Sequence, residues 1–155
     1  MVRSPFARAA RQAPVCVLAV LVLAAGCGGI GKTYPVVGQV TLDGEPLVAR
    51  SAAVMLVPNR ARGNTTPYEP GGTVDSSGRY TVYTQGHRGA PPGWYKVVVT
   101  AIAEPPAPSA KGPLTHRPTA TSLVPAPYGQ AATTPLEIEV VASPETGAYD
   151  LKLKR

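Results

Sequence analysis

The fold is decided by the stretch Trp94-Tyr95-Lys96-Val97-Val98-Val99-Thr100-Ala101-Ile102. It is rich in β-branched and aromatic residues and contains no glycine or proline. Such a run has strong strand propensity, and its nearly continuous apolar character indicates a central strand rather than an edge strand. We therefore expect the flanking sequence to supply further strands that pair with this one.

Shorter runs on both sides alternate apolar and polar residues and are separated by glycine, proline, aspartate and asparagine, which favour turns. With the central stretch, they predict seven strands at residues 36–42, 52–57, 72–75, 79–84, 94–102, 134–141 and 148–154. No segment after Cys27 has helical periodicity. The pattern predicts an all-β fold, an antiparallel seven-stranded β-sandwich with Greek-key connections.

The predicted core consists of apolar residues that recur along these strands. They are Val37, Val40, Leu42, Val54, Leu56, Tyr80, Val82, Tyr95, Val97, Val99, Ile138, Val140, Tyr149, Leu151 and Leu153. Residues 104–127 contain seven prolines, and proline lacks the N–H that a sheet interior requires. We expect this segment to form a long, extended surface loop.

The N-terminal 26 residues have the composition of a helical signal peptide. Arginines at positions 3, 8 and 11 precede an apolar run over 13–25, which is too short to span a membrane. The run ends in Leu23-Ala24-Ala25-Gly26-Cys27, which resembles a bacterial lipobox, although Ala24 stands where leucine is more usual. Cleavage after Gly26 and lipidation of Cys27 are expected, and the alternative is a plain secreted protein with a free Cys27.

This leader divides the chain into three parts: a signal peptide at 1–26, a flexible lipid-anchored tether at 27–34 and a β-sandwich domain at 35–155. Two or three acyl chains hold a protein firmly on a bilayer. The expected location is the cell membrane or outer membrane, with the domain facing the periplasm or cell surface. Gly28 in place of aspartate resembles outer-membrane lipoproteins of Gram-negative bacteria and favours that membrane.

Three segments resemble carboxypeptidase regulatory-like domains: VGQVTLDGEPL at 37–47, TVDSSGRY at 73–80 and GAPPGWYKVVV at 89–99. Their order and spacing are similar to those of small lipoproteins abundant in planctomycete-like bacteria, and the resemblance extends over residues 36–153. It implies a transthyretin-like, immunoglobulin-like sandwich that serves as a scaffold or adhesive accessory. It implies no catalytic activity, and a fold alone does not carry a function.

No cofactor, metal site or catalytic group is predicted. The two histidines, His87 and His116, lie in glycine- or proline-rich stretches without the motifs of iron dioxygenases, and the terminal signature of purine-pathway hydrolases is missing. Asp43 and Asp75 each supply one carboxylate to a turn, whereas Ca²⁺ takes six or more oxygens. Without the leader the net charge falls to +3, and no basic stripe interleaved with aromatics predicts nucleic-acid binding.

The expected function is therefore that of a lipid-anchored, non-catalytic envelope module for structural or protein–protein contact. The alternative is a carbohydrate-binding module that stacks sugars on exposed aromatic side chains. The candidates for such stacking are Trp94, Tyr68 and Tyr128, with Tyr83 as a further aromatic. The expected partners are the membrane and either an envelope protein or a glycan.

Overall fold

A computed structural model describes residues 29–103 and 121–155 of the chain. The described part is mostly β-strand and contains no helix of seven or more residues, which confirms the predicted all-β class. The lipobox with Gly26 and Cys27, most of the proline-rich stretch and His116 lie outside the described residues.

Ten strand segments form two sheets. They are β1 (Val37–Leu42), β2 (Glu45–Pro46), β3 (Ser51–Pro58), β4 (Gly71–Thr73), β5 (Arg79–Thr81), β6 (Tyr83–Thr84), β7 (His87–Arg88), β8 (Gly93–Ile102), β9 (Glu137–Val140) and β10 (Leu151–Leu153). Short 3₁₀ turns span Arg60–Arg62 and Ala126–Gly129. The segments outnumber the seven predicted strands because β2 and β7 arise within predicted turns and because one predicted strand is split.

The larger sheet has the strand order β7-β6-β4-β3-β8-β9. Its longest pairing joins β3 to β8 in antiparallel register, from Ser51 opposite Ile102 to Pro58 opposite Tyr95. The strand predicted from residues 94–102 is thus an interior strand, with β9 on its other side. This placement confirms that nearly continuous apolar sequence marked a central position.

The smaller sheet has the order β10-β1-β2, and β5 also pairs with β1. The pairing of β1 with β10 is parallel, which departs from the antiparallel arrangement of all the other named strand pairs. Residues 79–84 are split at Val82 because Thr81 pairs with β1, whereas Tyr83 pairs with Gly71 of β4. This segment therefore connects the two sheets.

Apolar side chains from both sheets form one buried cluster, as expected for a β-sandwich. Every predicted core residue is buried except Val37, which is 44% exposed. Val36 is fully buried instead. Successive strand residues face opposite sides, so Val36, Gly38 and Val40 share the inner face. Because Gly38 has no side chain, the sequence does not show which residues of this strand face inward.

Gly38 is required because the chain before β10 crosses directly over it. A Cβ atom at this position would overlap the carbonyl oxygen of Tyr149. The same carbonyl accepts a 2.6 Å hydrogen bond from the buried Tyr80 hydroxyl, and the Gln39 N–H donates to Asp150 Oδ1 at 2.9 Å. These contacts, here called the Tyr149 clamp, fix the segment before β10 against β1.

Candidate functional site

A shallow pocket of about 240 Å³ lies where the loop after β3 meets the turn before β8. Trp94, the only tryptophan of the chain, is its one aromatic lining residue. The other lining residues are Arg62, Gly63, Asn64, Thr65, Thr66, Pro92 and Gly93. The pocket is thus built from a polar loop and one half-buried indole at an end of the larger sheet.

Two buried asparagines shape this loop. The Asn59 carbonyl accepts hydrogen bonds from the N–H groups of Arg62 and Asn64, at 3.0 and 3.2 Å. Asn64 Nδ2 donates to the Trp94 carbonyl at 2.8 Å, and its Oδ1 accepts from the Thr66 N–H at 3.0 Å. The Asn64-Thr65-Thr66 sequence that fits a glycosylation acceptor therefore has its amide buried and engaged in holding the loop.

Gly93 lets the turn before β8 approach this loop. It has φ 137°, a value that favours glycine, and a Cβ atom there would lie 3.0 Å from Asn64 Nδ2. The Asn64 amide is thus the group that the missing side chain of Gly93 accommodates.

Glu137 on β9 organises the charges beside Trp94. Its carboxylate accepts from Asn59 Nδ2 at 3.0 Å and Arg62 Nε at 3.1 Å, and Lys96 Nζ lies 3.6 Å away. The Arg62 guanidinium carbon sits 4.0 Å from the centroid of the Trp94 ring, within cation–π distance. One face of the indole is therefore already covered by an arginine that Glu137 holds in place.

The structure separates the aromatic residues that were predicted to stack sugars. Tyr128 packs partly against the core, and its hydroxyl accepts a 3.1 Å hydrogen bond from the Lys154 N–H. Tyr68 is half-buried in the stretch before β4 and does not line the pocket. Tyr83 is 48% exposed on β6, more than any other aromatic side chain in the described residues.

The predicted turn aspartates hold turns. Asp75 Oδ1 accepts from the Ser77 hydroxyl at 2.7 Å, the Ser77 N–H at 2.8 Å and the Arg79 N–H at 3.0 Å. These hydrogen bonds, the one from the Ser77 hydroxyl first, hold the pKa of the Asp75 carboxyl below its usual value. Asp43 has a positive φ of 54° in the β1–β2 turn and binds the Arg155 side chain at 2.9 Å.

Residues 29–103 and 121–155 contain no group of three or more histidine, cysteine, aspartate or glutamate side chains that could hold a metal ion. His87 lies exposed on β7. In the same two ranges, no helix is long and apolar enough to cross a bilayer. In a comparison with known proteins, no family model, curated protein or solved structure matches the chain.

Sequence reasoning found Trp94 but missed the residues around it. Asn59 directly follows β3, Arg62 ends the 3₁₀ turn and Glu137 lies on β9. Only the register that pairs Lys96 with Glu137 and Trp94 with Glu139 brings β9 to this place. The local sequence carries no signal for that pairing. The polar composition of residues 59–66 indicates only that they form a loop.

Proposed function

We propose that the protein is a non-catalytic β-sandwich module of the bacterial envelope, anchored by lipid at Cys27, that acts through structural or protein–protein contact. The observation that carries the proposal is how soon the folded body begins after the lipobox. Tyr34 already pairs with Ala90 through two backbone hydrogen bonds of 2.9 and 3.0 Å. A short tether therefore leads directly into the sandwich.

Polar groups in the interior stabilise the fold of the proposed module. In the described part of the chain, every buried side-chain nitrogen and oxygen has a hydrogen-bond partner. The Tyr95 hydroxyl donates to the Pro91 carbonyl at 2.9 Å, and the Thr134 hydroxyl donates to the Val97 carbonyl at 2.7 Å. These hydrogen bonds hold loops against strands. For the connections between strands, we propose a Greek-key arrangement like that of carboxypeptidase regulatory-like domains.

Membrane fractionation of cells that express the protein tests the anchor. Cys27→Ser should move the protein out of the membrane fraction or leave its leader uncleaved, whereas Cys16→Ser within the leader should change neither. Crosslinking in intact cells, followed by purification, should then recover a partner with the wild type. A purified protein that turns over a substrate would contradict the non-catalytic part of the proposal.

Carbohydrate binding is the second candidate, because Trp94 lines the one pocket described above and is only half-buried. Since Trp94 is the only tryptophan, its fluorescence reports sugar binding directly. Titration with glycans should shift this emission. On a glycan array, which needs no tryptophan, Trp94→Ala should abolish binding while Tyr128→Phe leaves it intact. A glycan array without hits would remove this candidate.

A further inference from the structure

The chain enters the sandwich beside the β6–β7 hairpin. The Thr33 hydroxyl donates a 3.2 Å hydrogen bond to the Arg88 carbonyl, and Tyr34 pairs with Ala90. A Cβ atom on Gly89 would overlap the Tyr34 carbonyl oxygen, so the two segments are in close contact. The chain is therefore fixed to this edge of the domain from Thr33 onward.

Chain length limits how far this edge can lie from an anchor at Cys27. Thr33 follows Cys27 by six positions in the sequence, with five residues between them. An extended chain spans at most about 3.6 Å per residue, so the two are at most about 22 Å apart. If Cys27 carries the lipid that we propose, this edge stays within about 22 Å of the bilayer surface.

The side chains at this edge suit the polar boundary of a membrane. Tyr83 and Arg88 are direct cross-strand partners, so they extend from the same face of the hairpin. Both are exposed, and Lys32 Nζ lies 5.2 Å from the centroid of the Tyr34 ring. Tyrosine together with lysine and arginine is the combination enriched at membrane–water interfaces.

The acidic side chains are mostly elsewhere. Asp43 follows the last residue of β1, and Asp75 precedes the first residue of β5. Both strand ends lie away from Tyr34, which precedes the first residue of β1. Glu137 and Glu139 lie on β9, at the other edge of the larger sheet. Glu69 is the acidic residue nearest to Tyr83 in strand register, because it lies two residues before Gly71, which pairs with Tyr83.

We infer that Lys32, Tyr34, Tyr83 and Arg88, here called the N-terminal corner, dock on anionic lipid headgroups and fix the orientation of the sandwich on the membrane. The inference rests on the proposed lipid anchor. Each cation near an anionic surface contributes about 1 kcal/mol, or about fivefold in affinity. Two cations alone hold weakly, but a covalent anchor makes the contact intramolecular and lets it set orientation.

Depth-dependent quenching tests this orientation in the intact, acylated protein. Cleavage removes Cys16 and acylation blocks Cys27, so Tyr83→Cys introduces the single reactive thiol for a fluorescent label. The label replaces one tyrosine of the N-terminal corner and leaves Lys32, Tyr34 and Arg88 in place to dock. Val48→Cys is the matched control, since Val48 is 63% exposed between β2 and β3, away from the N-terminal corner. Both labelled proteins are reconstituted in vesicles that contain spin-labelled lipid and either anionic or zwitterionic headgroups.

In anionic vesicles we expect quenching at position 83 to exceed quenching at position 48 several-fold. The difference should shrink in zwitterionic vesicles, at high salt, and when Lys32→Gln and Arg88→Gln are combined. Glu69→Lys should enlarge it. Thermal unfolding of each variant checks that the fold is retained.

Equal quenching at the two positions in an acylated, vesicle-bound protein would overturn the docking inference and leave the anchor standing. A protein that carries no acyl group and leaves the vesicles would overturn both proposals. Protection of the label at position 83 by purified envelope polysaccharide, without any effect of lipid charge, would assign the N-terminal corner to a glycan instead and overturn membrane docking.

Discussion

Replacing Tyr80 by phenylalanine removes one hydroxyl group from the centre of the sandwich and keeps the aromatic ring. That hydroxyl donates a 2.6 Å hydrogen bond to the Tyr149 carbonyl, and only 2% of the side chain is exposed. The substitution leaves the carbonyl buried without this donor. Because the carbonyl also lies against Gly38, the backbone has little room to turn it toward water.

The expected loss of stability follows from these contacts. A hydrogen bond contributes about 1 kcal/mol net, and leaving a buried acceptor without a partner raises the loss to about 2 kcal/mol. For a domain of this size, 2 kcal/mol corresponds to a fall of about 8 °C in Tm. Urea unfolding followed by the fluorescence of Trp94 measures the free energy of unfolding.

The pH dependence of the free energy of unfolding tests the same hydroxyl group. Burial first, and then the nearby charge of Asp150, raises the pKa of the Tyr80 hydroxyl well above its usual value near 10. The unfolded chain therefore loses this proton at lower pH than the native chain does. Wild-type stability should be intact below about pH 10 and decline as the pH rises further, with a contribution from Tyr80 of up to about 1.4 kcal/mol per pH unit.

Tyr80→Phe lacks this contribution, so its difference from the wild type should shrink above pH 10. The variant should still lose some stability at alkaline pH, because burial also raises the pKa of Tyr95. No stability difference at pH 7 would refute the hydrogen bond of Tyr80 as a stabilising part of the Tyr149 clamp. A difference that stays constant from pH 7 to pH 11.5 would refute the raised pKa of its hydroxyl.

Three further predictions concern other contacts. Gly38→Ala should destabilise the domain by about 3 kcal/mol, because the new methyl group displaces the Tyr149 clamp. Gly129→Ala is the control, and it should leave stability unchanged in the same urea titration because the space around Gly129 is open. Glu137→Gln should lower stability by about 1 kcal/mol and shift Trp94 emission as Arg62 is released, and Glu139→Gln on the same strand should do neither. Asp75→Ala should lower Tm more at pH 7 than in acid, because the stabilisation from a depressed carboxyl pKa is present above pH 3.8 and is lost as the pH falls from there through the lowered pKa.

The sequence was most informative where one face of a strand is buried. Alternation identified the inner residues of β3, β8, β9 and β10, and the continuous run in β8 marked an interior strand. It failed at Val37 because Gly38 contributes no side chain to the inner face. It also failed at residues 87–88, where Gln85 and Gly86 turn the chain with φ values of 46° and 85° although glutamine is not a typical residue for positive φ.

The sequence did not predict which distant strands pair with each other. Nothing local indicates that β10 pairs with β1 in parallel, or that residues 79–84 change partners at Val82. The pocket depends on the same kind of information, since Glu137 reaches Arg62 only through the register of β8 with β9. Trp94 was recognisable as an aromatic residue of interest, but the arginine that covers its ring was not.

Mass spectrometry of the N-terminal peptide of the mature protein, purified from membranes, tests the central claim most directly. The account predicts a peptide that begins at Cys27 and carries a diacylglyceryl group on its sulfur, with a further acyl chain where the host adds one. A peptide that begins at Cys27 with a free thiol, or at any other residue, would contradict the lipid anchor on which the proposed function rests.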